Sequence, residues 1–127
     1  LALEPEMGRW KGLSIFGDAE LGSVYISGAY RGLVVPSESG LVEITGSEFS
    51  NNEIGLHILK QDVNIQGNAF RNNNIYGIKA DNGVRPRVVA NAFGGNGFDY
   101  YDNQETVLGI EELNGLTRNN RRNVSED

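Results

Sequence analysis

The stretch Ile65-Gln66-Gly67-Asn68-Ala69-Phe70-Arg71-Asn72-Asn73 decides the fold, because Asn91-Ala92-Phe93-Gly94-Gly95-Asn96 nearly repeats it. Phe49 to Asn52 carries an earlier copy of the same Phe-x-x-Asn phrase. Working outward, a second phrase alternates with it: Gly, apolar, any residue, apolar. It reads Gly12-Leu13-Ser14-Ile15, Gly32-Leu33-Val34-Val35, Gly55-Leu56-His57-Ile58, Gly77-Ile78-Lys79-Ala80 and Gly97-Phe98-Asp99-Tyr100, in steps of about 20, 23, 22 and 20 residues. A third phrase reads Val24-Tyr25-Ile26, Val42-Glu43-Ile44 and Val63-Asn64-Ile65, with Arg87-Val88 as a degraded copy. Gly28, Gly46 and Gly67 each follow it.

A fixed period of this length marks a solenoid. Each apolar-x-apolar triplet is a short strand with alternate side chains facing inward, bounded by Gly or Asn turns. Stacked coil on coil, they give an all-β, right-handed, single-stranded parallel β-helix of four to five coils. Equivalent residues of successive coils lie about 4.8 Å apart. The phrases assign Leu13, Leu33, Leu56, Ile78 and Phe98 to one inward stack. Ile26, Ile44, Ile65 and Val88 form a second, and Phe49, Phe70 and Phe93 a third. Asn52, Asn73 and Asn96 are expected to form an amide ladder that holds one turn. A β-sandwich or a leucine-rich repeat fits the phrases less well.

Composition agrees. The chain of 127 residues is one domain in length, with 17 Gly, 3 Pro and 39% hydrophobic residues, suiting an all-β repeat rich in tight turns. A net charge of −6 argues against a nucleic-acid or anionic-membrane surface. With no Cys there is neither a disulfide framework nor a thiolate metal site, and no apolar run is long enough for a transmembrane helix.

The organisation expected is a lead-in over 1–9, the β-helix over 10–102, a C-terminal cap over 103–116 and a polar, disordered tail over 117–127. Leu108, Ile110, Leu113 and Leu116 would supply the apolar lid of that cap. The lead-in reads as the remnant of an upstream segment. A solenoid needs such caps because its ends expose strand edges and core.

Stacking turns the middle residues of the triplets into outward columns. One reads Ser14, Val34, His57, Lys79, Asp99; the other reads Tyr25, Glu43, Asn64, Arg87. His57, Lys79, Asp99 and Arg87 are the candidate binding residues on these faces, with Trp10 as a sugar-stacking platform or an end cap. His57 acts as a general base only if a partner tunes it and a substrate reaches it. The Asp99/Asp102 pair and the Asp81-Asn82-Gly83 turn read as structural, so no catalytic, metal or cofactor role is assigned. The Lys60, Lys79, Arg85 and Arg87 group is a basic patch only if the fold brings it together.

The phrases Ile-x-Gly-Asn-x-Phe-x-x-Asn and Tyr-Gly-Ile-Lys resemble the β-helix repeats of the pectate-lyase-like superfamily, in particular the NosD-type repeats. The resemblance covers about residues 8–102. It implies the fold more than the activity, since such repeats serve lyases, hydrolases, epimerases, adhesins and assembly factors. Enzymes of that kind work from an outer face with clustered acidic Ca²⁺ ligands and a nearby Arg or Lys, whereas the acidic residues here are scattered. The reading is therefore a non-enzymatic binding or assembly module, part of a larger bacterial extracytoplasmic protein. Its partner would be a polysaccharide, another protein, or a second copy at the coil ends or faces. A polysaccharide lyase or glycoside hydrolase is the alternative.

Overall fold

The computed structural model describes residues 9–81, 84–102, 106–108 and 121–122, the last two groups and Asp102 by backbone alone. Strands β1 (Leu13–Ser14), β2 (Ala19–Gly22) and β3 (Tyr25–Ser27) make the first coil. β4 (Arg31–Val35), β5 (Val42–Thr45) and β6 (Glu48–Ser50) make the second. The third holds β7 (Ile54–Ile58), β8 (Asn64–Gln66) and β9 (Ala69–Arg71), and the fourth β10 (Tyr76–Ala80), β11 (Arg87–Val89) and β12 (Ala92–Gly94). β13 (Phe98–Asp102) opens a fifth.

The strands stack as three sheets: β1-β4-β7-β10-β13, β2-β5-β8-β11 and β3-β6-β9-β12. Every pair within these runs is parallel, so the chain is a parallel β-helix. We call them the first, second and third sheets. No helix among the described residues is long and apolar enough to cross a membrane.

Inward side chains form one continuous core. Leu33, Leu56 and Ile78 align along the first sheet, Ile44, Ile65 and Val88 along the second, and Phe49, Phe70 and Phe93 along the third. All nine are buried, each contributing about 1.5–3 kcal/mol relative to exposure. The phenyl rings stack at centroid spacings of 5.2 Å with interplanar angles of 11° and 14°. That spacing lies close to the distance between coils, so the backbone sets the ring stack.

Two sharp corners shape each coil. At one, Ser23, Gly46, Gly67 and Ala90 have positive φ; at the other, Gly28, Asn51, Asn72 and Gly95 do. A single left-handed residue swings the next N–H out of the ladder, and that buried donor needs a new acceptor. Asn side chains supply it from the neighbouring coil. Ala29 N–H donates to Asn52 Oδ1 (2.9 Å), Asn52 N–H to Asn73 Oδ1 (3.2 Å) and Asn73 N–H to Asn96 Oδ1 (3.0 Å). This is the ladder expected from Phe-x-x-Asn.

A second ladder, not expected, runs along the other corner. Val24 N–H donates to Ser47 Oγ (3.0 Å), Ser47 N–H to Asn68 Oδ1 (2.9 Å) and Asn68 N–H to Asn91 Oδ1 (2.8 Å). The Asn-Ala-Phe copies contain both ladders, each Asn sitting directly after a left-handed residue.

The recurrent Gly of the first sheet has a steric cause. A Cβ on Gly32 would lie 2.6 Å from Gly55 O, one on Gly55 2.7 Å from Gly77 O, and one on Gly77 2.8 Å from Asp99 O. The column points along the axis into the next coil's backbone. Asp99 takes the position in β13, whose next neighbour in the sheet is the antiparallel β14 (Thr106–Leu108).

Four sequence assignments are corrected by the register. Tyr100, not Phe98, continues the Leu33-Leu56-Ile78 stack: it pairs with Ile78 and is 2% exposed, while Phe98 pairs with Tyr76 and is 50% exposed. The distance from the ladder Asn fixes the stack, since Leu56 and Tyr100 each lie four residues past theirs and Ile78 five past Asn73. The extra residue fits where Ile75 N–H and Tyr76 N–H share Glu53 O, at 2.8 and 3.3 Å. For the same reason Asp99 leaves the His57-Lys79 column, which Tyr101 joins. In the first coil Ile26 heads the phenylalanine stack, and Leu21 heads the Ile44-Ile65-Val88 stack. Tyr25 accordingly aligns with Glu48, and Glu20 is the partner of Glu43.

Most of the expected cap and tail lies outside the described residues, as do the side chain of Leu108 and residues 1–8. Within those stretches β14 pairs antiparallel with β13, and β15 (Arg121–Arg122) pairs in parallel with β12.

Candidate functional site

The outer face of the first sheet gathers the chemistry. Its five-residue strands are the longest repeated ones and lie in parallel register. Outward positions therefore recur coil after coil. Val34, His57, Lys79 and Tyr101 make one column, and Arg31, Ile54, Tyr76 and Phe98 the adjacent one.

His57 sits between three charged groups drawn from the two flanking coils. Its Nε2 lies 2.5 Å from Asp81 Oδ2, and Arg31 Nη1 lies 3.1 Å from its Nδ1. Arg31 has no proton-accepting capacity, so Nδ1 accepts and Nε2–H donates to the carboxylate. That is a neutral imidazole with a fixed tautomer. Lys79 Nζ lies 3.5 Å from the same Asp81 oxygen. Burial pushes the His57 pKa below its ordinary value of 6.5; the Asp81 hydrogen bond and charge oppose this, and Lys79 and Arg31 reinforce it.

Both ring nitrogens of His57 are thus committed to protein partners, and the residue is 7% exposed. A general base needs a free nitrogen within reach of a substrate proton. The cluster is built to fix charges, with His57 as the bridge between Arg31 and Asp81.

Beside it lies an aromatic group. Tyr76 stacks on Tyr101 at 4.9 Å and 17°, and meets Phe98 at 6.0 Å and 32°. Phe98 is half exposed, and Tyr76 and Tyr101 are partly so. The face thus presents apolar ring surface next to an ammonium–carboxylate pair.

The remaining expected site residues are dispersed. Asp99 is buried in the glycine column, with Asn96 Nδ2 at 3.5 Å from its Oδ1. Arg87 is exposed on the second sheet, in line with Asn64, Glu43 and Glu20. It therefore does not share a face with Lys79. Trp10 bridges to Ala29 at the first coil, packs on the core and donates from Nε1 to Ser27 O at 2.9 Å. Those contacts tie it to the start of the first coil.

Arg31, Asp81, Tyr76 and Tyr101 are the site residues that sequence reading missed. Asp81 follows Lys79 by two residues, so the same outward direction was available as a signal. Arg31 had none, because its contact to His57 crosses coils.

A second feature is a groove of about 660 Å³ on the second sheet, lined by Asp18, Glu20, Glu43 and Asp62 together with Leu41 and Asn64. Asp18 Oδ1 already accepts from Leu41 N–H at 2.8 Å. No group of three or more His, Cys, Asp or Glu among the described residues could hold a metal ion. Compared with protein-family models, curated proteins and solved structures, the chain matches none.

Proposed function

We propose that this β-helix is a non-enzymatic binding module that contacts a glycan through the outer face of its first sheet. The observation that carries the reading is the Tyr76-Phe98-Tyr101 group beside the Lys79–Asp81 pair. Aromatic surface stacks on the C–H faces of sugars, while an ammonium and a carboxylate donate to and accept from hydroxyls. Saturation of His57 favours contact over proton transfer. The resemblance to extracytoplasmic β-helix repeats supports the same setting: a larger bacterial protein working outside the cytoplasm.

The test is a screen of the purified domain against immobilised neutral and acidic glycans, with hits titrated by calorimetry. Tyr76→Ala should weaken a hit by about two- to tenfold, on the scale of one aromatic contact. Tyr25→Ala, on the third sheet, should leave it unchanged. Absence of any hit, or hits insensitive to Tyr76→Ala with both variants folded, refutes the reading. A defined protein partner bound through the same face would replace it with the protein-binding alternative.

A further inference from the structure

The Arg31-His57-Asp81 arrangement has a consequence independent of which partner binds. We infer that it is an acid-operated latch, in which protonation of His57 releases the Arg31 side chain from the outer face of the first sheet. His57 is held from both sides by groups of opposite demand. Arg31 Nη1 can only donate, so it requires Nδ1 to be bare; Asp81 can only accept when ionised, so it requires a proton on Nε2. The neutral Nε2–H tautomer alone satisfies both.

Adding the second proton places it on Nδ1. Two donors then face each other across 3.1 Å, and the hydrogen bond to Arg31 is lost. Two positive charges also stand where there was one, with Lys79 a third near the same carboxylate. Asp81 keeps hold of the ring, since an imidazolium Nε2–H donates to it still more strongly. Arg31 is the group with freedom to leave: it is exposed, whereas His57 is buried and Asp81 and Lys79 are tied to each other. The charged groups bearing on the ring are Arg31 from β4, and Lys79 and Asp81 from β10 and its end. Burial and the two cations delay protonation, so the latch stays closed at neutral pH and opens only in acid.

The experiment is a pH titration of the isotopically labelled protein by NMR, following the His57 ring and the Arg31 side-chain N–H groups together. The expected result is one shared midpoint below the ordinary histidine value. The Arg31 signals should move from a restrained to a solvent-averaged position. Arg31→Met should shift the His57 midpoint upward, because a cation and a donor that demands a bare Nδ1 are both removed. Asp81→Asn should shift it downward. His57→Gln can accept from Arg31 and donate to Asp81 without titrating, so it should abolish the Arg31 response while the fold persists. Arg31 signals that ignore the His57 midpoint, a midpoint unmoved by Arg31→Met, or acid unfolding before Arg31 shifts would each overturn the latch. Its failure leaves the glycan reading untouched, because the titration contains no glycan.

Discussion

Replacing Asn73 with alanine tests whether the ladders hold this protein together. Asn73 is fully buried. Its Oδ1 accepts from Asn52 N–H at 3.2 Å and from Asn52 Nδ2 at 3.1 Å. Its Nδ2 donates to Phe49 O at 2.9 Å and to Asn96 Oδ1 at 2.8 Å. Asn52 Nδ2 retains Ile26 O, and Asn96 Oδ1 retains the Asn73 N–H, so those partners survive the substitution. Asn52 N–H loses a bond that the structure shows no substitute for, whereas Phe49 O stays within the parallel β6–β9 ladder. One buried backbone donor stripped of its partner costs about 1–3 kcal/mol, and that is the expected loss. That is a large share of the ~5–15 kcal/mol that holds a domain folded. Urea unfolding followed by far-UV circular dichroism measures it. Asn74→Ala, which removes an exposed bond to Glu53, is the control and should cost within about 0.5 kcal/mol. A loss below about 1 kcal/mol for Asn73→Ala would refute the reasoning, showing that water or a backbone shift replaces the amide.

Four further outcomes follow from the same geometry. Gly55→Ala should cost about 1–3 kcal/mol in urea unfolding, since its Cβ meets Gly77 O at 2.7 Å and Asn73 Nδ2 at 3.0 Å. Gly67→Ala meets nothing within 4 Å and should lose only about 1–2 kcal/mol for its left-handed φ, a position that Ala90 already occupies one coil on. Stability should fall in acid through His57: its folded pKa is lowered, so the unfolded chain binds more protons. The contribution is complete above pH ~6.5 and is lost progressively as pH drops below it. Urea midpoints of the parent and His57→Gln at pH 7.5, 6 and 5 should therefore converge or cross in the parent's disfavour, and parallel lines would sink the assignment. Glu20 and Glu43 stand side by side in β2 and β5, so Glu20→Gln should stabilise by a few tenths of a kcal/mol in dilute buffer. The gain should vanish near 1 M salt; a gain unaffected by salt would not be electrostatic.

The face that carries these charges was only half legible in the sequence. His57 and Lys79 share an outward column because both occupy the middle of a Gly-apolar-x-apolar phrase, and the register aligns them as expected. Asp99 occupies the same place in its phrase, yet it faces elsewhere. The phrase is anchored by apolar pattern alone, whereas the chain is anchored by the Asn ladder, which sets β13 two residues away. Arg87 illustrates the other limit. A column drawn along one sheet says nothing about whether it shares a face with a column on another.

The sequence by itself determined the solenoid, its period, the three core stacks over the middle coils and one amide ladder. It could do so because every coil repeats one local problem: apolar residues to bury, and a corner N–H to satisfy. Where the repeat is intact, as from Phe49 to Phe93, local pattern and tertiary register coincide. Only the tertiary structure decided the first and last coils, where turn lengths change. It alone also brought Arg31, His57 and Asp81 together. Their contacts run along the axis between residues 24 and 26 apart in the chain, and depend on how far each coil rises and which way each outward side chain leans.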